Sequence, residues 1–173
     1  MEKTMKILVI YYSFEGNTKF IAESIADAVG ADILELKPKK EMKTHNFMKY
    51  FWGGKKIVMK EKPILLPFDK NPQDYDILFI GTPVWVWTYA PPLYTFFESV
   101  ELNNKKIALF CCNAGGKGKI FEKMSKILSG NEIVGEIDFL EPLKNDSENN
   151  RNIAIQWAKQ IVDGIKKLFD NDI

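Results

Sequence analysis

Three segments of the chain are almost continuously apolar: residues 6–12, 77–81 and 107–112. Their isoleucine, valine, leucine and aromatic side chains do not alternate with polar ones, which is the pattern of strands buried on both faces. Residues 31–36 and 133–140 are mixed runs, and we expect them to form strands nearer the edges of the same sheet. The pattern therefore predicts five strands.

Apolar residues at helical spacing separate these strands. After Asn17 they recur at such intervals as far as Gly30, and glycine commonly ends helices. Pro91 opens a second segment, because proline is tolerated in a first helical turn. A third segment stops at Gly130, and residues 153–169 carry the longest apolar stripe. We interpret these segments as helices that pack on the sheet.

Strands that alternate with helices over 173 residues indicate a single α/β domain, a doubly wound, five-stranded parallel sheet with about five helices on its two faces. A long connection, roughly residues 38–67, interrupts the alternation and is expected to hold one helix and an insertion. In such sheets ligands bind beyond the carboxyl ends of the strands. The loops of interest are therefore residues 13–18, 82–90 and 113–118.

Composition and charge exclude several classes of protein. With 46% hydrophobic and 27% charged residues the chain is globular in composition, and its net charge of +1 gives no overall reason to bind nucleic acid. No apolar run reaches the roughly 20 residues of a membrane span. The apolar run of residues 7–12 is not followed by a small-residue cleavage pattern. We expect a cytoplasmic protein.

The two cysteines, Cys111 and Cys112, are adjacent, and His45 is the only histidine. These residues cannot assemble a Cys/His zinc site or a framework of several disulfides. Adjacent cysteines would close a strained ring, so we interpret them as buried, reduced thiols. We predict no metal site and no catalytic side chain, and we assign His45 no role.

The first loop reads Ser-Phe-Glu-Gly-Asn-Thr between a buried strand and a helix. Hydroxyls at Ser13 and Thr18, close approach at Gly16 and the free N–H groups of the helix start would hold a phosphate dianion. The loop lacks the lysine of a Walker motif and the glycines of a dinucleotide fingerprint. The alternative interpretation is an ordinary helix start capped by Ser13 or Asn17.

The second loop, residues 82–90, concentrates large rings after the central strand. Trp85, Trp87 and Tyr89 alternate, so in an extended stretch they would face the same way and offer a π surface to a flat ligand or a partner. The alternative is that they cover the sheet edge as core. The glycine-rich third loop, residues 113–118, would bring backbone N–H groups close to a ring edge, or would simply form a tight turn before a helix.

Together, the three loops and the order of strands and helices resemble the flavodoxin family over essentially the whole chain. The resemblance implies FMN as the cofactor, strand order 2-1-3-4-5, and electron transfer between protein redox partners. It assigns the phosphate to the first loop and the isoalloxazine ring to the other two. The cofactor-binding residues it implies are Ser13, Phe14, Glu15, Gly16, Asn17, Thr18, Thr82, Pro83, Val84, Trp85, Trp87, Tyr89, Asn113, Ala114, Gly115 and Gly116.

Two departures from the family pattern concern charge. Glu15 stands where the family usually has threonine or serine, and its side chain is expected to point outward, because a carboxylate would repel the phosphate. Residues 37–62 are basic. A basic stretch is typical either of a solvated face or of a docking site for an acidic partner such as a ferredoxin. The same region supplies rings that would form a homodimer face or pack onto a monomer: Phe47, Tyr50, Phe51 and Trp52.

A third departure is the absence of glycine between Thr82 and Ala90. In flavodoxins that stabilise the one-electron-reduced flavin, a peptide beside flavin N5 flips, and glycine eases the flip because positive φ costs it little. Other residues pay roughly 1–2 kcal/mol there. We therefore predict that this chain stabilises one-electron-reduced flavin less than relatives that carry the glycine.

Two other functions remain open on the same scaffold. An NAD(P)H-dependent quinone or FMN reductase would use the aromatic residues of the second loop to frame a second flat substrate. Arg151 is the only arginine, so lysine would have to hold any 2′-phosphate of the nucleotide. A phosphorylation receiver would need an acidic cluster after the first strand, where the chain instead has Tyr11, Tyr12 and Ser13.

Overall fold

Strands and helices alternate along residues 5–40 and 62–171, the part of the chain that the computed structural model describes. The strands are β1 (Ile7–Tyr11), β2 (Asp32–Glu35), β3 (Ile77–Trp85), β4 (Thr88–Tyr89), β5 (Lys106–Asn113) and β6 (Glu132–Leu140). The α-helices of these residues are α1 (Asn17–Val29), α2 (Pro91–Ser99), α3 (Ile120–Ile127) and α4 (Ser147–Asn171). The predicted α/β fold class is confirmed.

Five parallel strands lie in the order β2-β1-β3-β5-β6, and β4 pairs only with β3, in antiparallel orientation. Numbered as the five predicted strands, this order is 2-1-3-4-5, as the resemblance implied. The order reverses between β1 and β3, the point at which doubly wound sheets open a crevice for a ligand. β2 and β6 are the partly exposed edge strands.

The two faces of the sheet carry separate cores. Leu8 and Ile10 of β1 pack with residues of α2 and α3, whereas Val9 and Tyr11 pack with residues of α1 and α4. Successive side chains of a strand point to opposite faces, so a strand covered on both sides needs an apolar residue at every position. This explains why the central strands are apolar throughout.

The central strand β3 is longer than the sequence pattern predicts. Gly81, the expected end, lies opposite Phe110 of β5, and a Cβ atom on Gly81 would stand 2.0 Å from the Cζ atom of that ring. Gly81 therefore leaves room for the Phe110 ring and does not end the strand, which continues to Trp85. Thr82 and Pro83 still pair with β5, so assigning these residues to a loop is wrong.

The long connection before β3 is only partly described. Residues 41–61, with the expected helix, His45 and the possible dimer aromatics, lie outside the described residues. Its two ends pair beside β2: the Lys39 N–H donates to the Ile64 carbonyl and the Leu66 N–H to the Lys37 carbonyl, each at 2.7 Å. No helix within residues 5–40 and 62–171 is long and apolar enough to cross a bilayer.

Candidate functional site

The loop between β1 and α1 ends in a helix start that lacks a side-chain cap. Gly16 is the N-cap residue, with φ of 91°, and no side chain accepts a hydrogen bond there. The Phe20 N–H donates to the Gly16 carbonyl at 2.9 Å, so the N–H groups before it have no intrahelical partner. These N–H groups and the positive end of the helix dipole favour an anion.

The interpretation of the loop as a capped helix start is therefore wrong. Ser13 does not cap α1, and the Asn17 side chain binds a different segment: its Oδ1 accepts a hydrogen bond from the Leu143 N–H at 3.1 Å. That bond fastens the loop after β6 to the start of α1. The N-terminus of α1 is left open on the side of the sheet's carboxyl edge.

Two hydroxyl oxygens in this loop are buried without an oxygen or nitrogen hydrogen-bond partner in the described part of the chain: Ser13 Oγ and Thr18 Oγ1. The sulfur of Cys112 lies beside Thr18: burial raises the pKa of this thiol to about 12, and hydrogen bonding with the Thr18 side chain acts to lower it. A thiol is a weak donor and acceptor. Because buried hydroxyls are normally satisfied, this pair indicates a place for an absent polar group.

The second predicted loop is a β-hairpin. Trp85 pairs with Thr88, and the two residues between them, Val86 and Trp87, have φ of 49° and 57°. This two-residue turn needs positive φ at both positions and usually contains asparagine or glycine. Holding valine and tryptophan there costs about 1–3 kcal/mol each, so tertiary contacts must stabilise the turn.

The expectation that the three rings of this loop share one face is wrong, because the turn separates them. Trp85 is buried and lines the pocket described below. Tyr89 is also buried, and its ring packs against Tyr94 with the centroids 4.3 Å apart. Trp87 lies at the turn and is 64% exposed. The absence of glycine therefore does not keep this turn out of the left-handed region.

Hydrogen bonds hold the third loop in one conformation. The Gly116 N–H donates to Asn113 Oδ1 at 2.8 Å, and Asn113 Nδ2 donates to Asp138 Oδ2 of β6 at 3.2 Å. Lys117 Nζ binds the other oxygen of Asp138 at 2.7 Å, and this bond raises the pKa of the lysine. The loop is therefore preorganised beside the end of β5.

These three loops meet in one pocket at the carboxyl edge of the sheet. Phe14 and Trp85 form an apolar wall, with ring centroids 5.6 Å apart and planes at 82°. The Tyr12 ring also packs against Trp85, with the ring centroids 5.9 Å apart. The lining residues are Ser13, Phe14, Glu15, Asn17, Thr18, Pro83, Val84, Trp85, Cys112, Asn113, Ala114 and Glu141.

Six predicted residues do not line the pocket. A Cβ atom on Gly16 would stand 3.4 Å from Leu143 Cδ1, and Thr82 ties the hairpin together by accepting a hydrogen bond from the Ala90 N–H at 3.0 Å. Trp87 and Tyr89 are displaced by the turn. Gly115 and Gly116 lie in the exposed part of the third loop.

Two lining residues, Cys112 and Glu141, were missed by the sequence reasoning. Cys112 is the penultimate residue of β5, and Glu141 directly follows β6. Glu141 has φ of 39°, and its N–H donates to the Asn113 carbonyl at 2.9 Å. The rule that ligands bind beyond strand carboxyl ends applies to β6 as well, so the loop after the last strand was a detectable candidate.

The carboxylates near the pocket lie at its rim. Glu15 is exposed, as expected for a carboxylate beside an anion site. Glu141 is paired with Lys144, and this hydrogen bond raises the pKa of the lysine. Burial also raises the pKa of Tyr12 to about 12, so Tyr12 and Cys112 stay protonated at neutral pH. Within residues 5–40 and 62–171 no cluster of His, Cys, Asp and Glu is placed to hold a metal ion.

The donors of the pocket fit a phosphate ester attached to a flat ring. A phosphate dianion has enough acceptors for the open N–H groups of α1 and for the hydroxyls of Ser13 and Thr18. A planar ring fits against Trp85 and beside the fixed Asn113–Ala114 backbone. Both requirements of FMN, a terminal phosphate and an isoalloxazine ring, therefore have matching surfaces in one pocket.

Comparison with known proteins gives the same family at the level of sequence. The model of the flavodoxin family matches residues 6–133. The chain is 25% identical to a flavodoxin of Maridesulfovibrio salexigens, over 92% of this chain and 99% of the relative. It is 32% identical to the flavodoxin-like domain-containing protein BilS of Clostridioides difficile, over 76% of this chain and 63% of the relative.

A solved structure shows the same fold. The crystal structure of a flavoprotein from Lactobacillus acidophilus in complex with FMN aligns with a TM-score of 0.63 and 22% identity, over 83% of this chain and 98% of that one. The family model covers most of the chain and agrees with the strand order and the three loops. The chain therefore belongs to the flavodoxin family.

Proposed function

We propose that this protein binds FMN at the described pocket and transfers electrons between protein redox partners. The observation that carries the proposal is the pair of buried hydroxyls, Ser13 and Thr18, which lack oxygen or nitrogen partners beside an uncapped helix start. Leaving a buried hydroxyl unpaired costs about 1–3 kcal/mol. A bound phosphate would satisfy both. The Lactobacillus acidophilus flavoprotein, which has the same fold, was solved in complex with FMN, and this supports the choice of ligand.

The proposed roles divide the pocket into two parts. Ser13, Thr18 and the backbone N–H groups around Gly16 would hold the phosphate. Pro83, Val84 and Trp85 would flank one side of the ring, and Asn113 and Ala114 the other. When bound, FMN supplies reversible one- or two-electron chemistry, and the chain supplies binding and orientation.

The side chains of the pocket tune charge and do not act as acids or bases. Tyr12 and Cys112 remain neutral at neutral pH because burial raises the pKa of each to about 12. The carboxylates of Glu15 and Glu141 lie at the rim, where they disfavour additional negative charge in the pocket. Lys144 offsets this effect at Glu141. The fixed N–H groups of the third loop are available to stabilise negative charge on a ring edge.

The lining of the pocket favours a carrier over an NAD(P)H-dependent reductase. It contains no arginine or lysine that would bind the phosphates of a nicotinamide nucleotide. Arg151 is placed elsewhere, on α4, with its guanidinium 5.0 Å from the centre of the Phe20 ring. The charged groups that recognise the nucleotide are therefore absent from the described pocket.

The test is the absorption spectrum of the purified, FMN-loaded protein, followed by stopped-flow reduction. We expect bound-flavin bands, slow reduction by NADH and NADPH, and fast exchange of electrons with a reduced protein carrier. Reduction by either nicotinamide at enzymatic rates would establish the reductase instead. A protein that takes up no flavin would contradict both functions.

A further inference from the structure

An exposed tryptophan stands in a turn of two consecutive left-handed residues, next to the pocket. Trp87 is 64% exposed and Val86 is 46% exposed, and both have left-handed backbone conformations. Strained backbone of this kind persists only where surrounding contacts enforce it, and it concentrates at functional positions. A single exposed ring needs no explanation, but one that is held in a strained turn does.

Two contacts from another part of the chain hold the turn. Lys123 Nζ of α3 donates a hydrogen bond to the Trp87 carbonyl at 3.0 Å. Gly118 packs against the same residue so closely that a Cβ atom there would stand 2.8 Å from Trp87 Cδ1. Trp87 therefore presents its indole to solvent from a fixed position, which lowers the entropy lost when a partner binds it.

The helix beside this turn carries a row of positive charge. Four residues spaced by four, three and one positions share one face of α3, the first of them at its N-cap: Lys119, Lys123, Lys126 and Ile127. Lys119 pairs weakly with Glu122, at 3.6 Å between exposed groups. In the described part of the chain no carboxylate lies within 4.0 Å of the Lys123 or Lys126 ammonium groups. Neither charge is neutralised by a carboxylate there, so both can attract an acidic surface.

We propose that this surface is the docking site for an acidic protein redox partner, with Trp87 as its central anchor. The surface, called here the Trp87 face, consists of Val86, Trp87, Lys119, Lys123, Lys126 and Ile127. It adjoins the pocket through Trp85, two residues before the anchor, and through the loop that contains Gly118. The inference rests on the proposed function, because a partner docked here lies beside the bound ring.

The composition of the Trp87 face fits a protein partner better than a nucleic acid. Tryptophan is among the residues that most often dominate binding energy at protein interfaces, and uncompensated lysines steer oppositely charged partners. A nucleic acid site normally neutralises many phosphates, about six to ten for a specific complex. Two unpaired lysines and an exposed isoleucine do not provide such a surface.

The experiment uses two soluble carriers of opposite charge as probes: an acidic plant-type [2Fe–2S] ferredoxin and a basic mitochondrial cytochrome c. With ferredoxin, one electron leaves the reduced cluster, which is oxidised, and enters the FMN-loaded protein. The cytochrome is tested in the opposite direction, accepting one electron from the reduced protein. For ferredoxin we expect the second-order rate constant to fall at least about tenfold between low salt and 0.3 M salt.

Three variants separate charge from contact. Lys126→Glu reverses one charge and leaves the Lys123 bond to the Trp87 carbonyl in place; it should lower the ferredoxin rate about fivefold at low salt and flatten its salt dependence. Trp87→Ala should lower the rate about tenfold at every salt concentration. Lys167→Glu, an exposed site on α4 that packs on the opposite face of the sheet, is the matched control and should stay within about twofold.

Binding is also measured without electron transfer, from the indole ¹H–¹⁵N NMR signals as oxidised ferredoxin is added. The Trp87 signal, assigned with Trp87→Phe, should shift in the wild type and not in Lys126→Glu at the same concentration. Equal effects of Lys126→Glu and Lys167→Glu, or a rate with cytochrome c that falls as salt is added, would overturn the proposal. Loss of FMN in Trp87→Ala would also overturn it, since the ring would then belong to the cofactor site. Failure of the wild type to bind FMN refutes the proposed function, whereas the NMR titration still tests the docking surface.

Discussion

Two hydroxyls distinguish a binding loop from an ordinary helix start. Ser13 and Thr18 lie on either side of Gly16, and neither finds an oxygen or nitrogen hydrogen-bond partner among the described residues. Ser24, further along α1, differs from them in being satisfied: its hydroxyl donates a hydrogen bond to the Phe20 carbonyl at 2.7 Å. The loop and the helix that follows it thus carry two hydroxyls available to a ligand, Ser13 and Thr18, and one used for stability, Ser24.

Replacing the unpaired hydroxyls should separate binding from stability. For Ser13→Ala and Thr18→Val we expect FMN to bind roughly 10- to 100-fold more weakly, because each loses a hydrogen bond to a charged group. The free energy of unfolding of the FMN-free protein should stay equal or rise by up to about 1 kcal/mol. Calorimetric titration and urea unfolding measure the two quantities.

Ser24→Ala is the matched control, since it removes a satisfied hydroxyl from the same helix. It should lower the free energy of unfolding by about 1 kcal/mol and leave FMN affinity unchanged. If Ser13→Ala and Thr18→Val destabilise the FMN-free protein as Ser24→Ala does and leave FMN affinity intact, the two hydroxyls have only a structural role.

The strands and the turns differ in how far the sequence predicts them. All five residues of β1 are buried, so the apolar run could be interpreted directly. The hairpin turn at Val86 and Trp87 could not, because both residue types disfavour positive φ. It exists because Gly118 and Lys123, about 30 residues away, hold it. The same long-range contacts explain why the three aromatic residues do not share a face.

The functional site shows the same difference between parts set by local sequence and parts set by long-range contacts. The first loop could be predicted because its residues are consecutive, and five of its six residues line the pocket. Glu141 could not be found by local pattern, since the Asn113 carbonyl brings it to the pocket across the sheet edge. The three loops are therefore predictable from the sequence, whereas the side chains that each loop presents depend on long-range contacts.

Two side chains of the third loop, Asn113 and Lys117, bind Asp138 of the last strand. Replacing Asn113 by alanine leaves the Gly116 N–H without its partner and removes one of these two bonds to Asp138. We expect the free energy of unfolding to fall by about 1–3 kcal/mol and FMN to bind more weakly, because the loop loses its preorganisation. Urea unfolding and calorimetry of Asn113→Ala measure both effects.

Asn103→Ala provides the comparison, because the Asn103 amide also donates a hydrogen bond, to Glu101 at 2.8 Å, but on the exposed surface. It should change the free energy of unfolding by less than about 0.5 kcal/mol. Equal stability of the two variants would show that the bridge from Asn113 to Asp138 contributes nothing to the loop.

The molecule as a whole buries several groups that must stay neutral. Burial raises the pKa of Tyr12, Tyr89 and Cys112 to about 12 each, and raises that of Cys111 further. In the unfolded chain these groups ionise near pH 9 to 10. Their contribution to stability is therefore complete below about pH 9 and is lost as the pH rises towards the folded-state values.

We accordingly expect the free energy of unfolding to decline steadily between pH 8.5 and about pH 11, as measured by urea unfolding at several pH values. Tyr12→Phe should remove part of this decline, because its ring stays buried without an ionisable hydroxyl. A free energy of unfolding that stays constant to pH 11, or a decline identical in Tyr12→Phe, would contradict the assigned burial.

The central claim is that the bare start of α1 binds the phosphate of a flavin whose ring lies against Trp85. Calorimetric titration of the flavin-free protein with FMN and with riboflavin tests it directly, because the two ligands differ only in that phosphate. We predict binding of one FMN per chain, at least about 100-fold tighter than riboflavin, as expected when several charge-assisted hydrogen bonds are lost together. Equal affinity for the two ligands, or uptake of neither, would contradict the account.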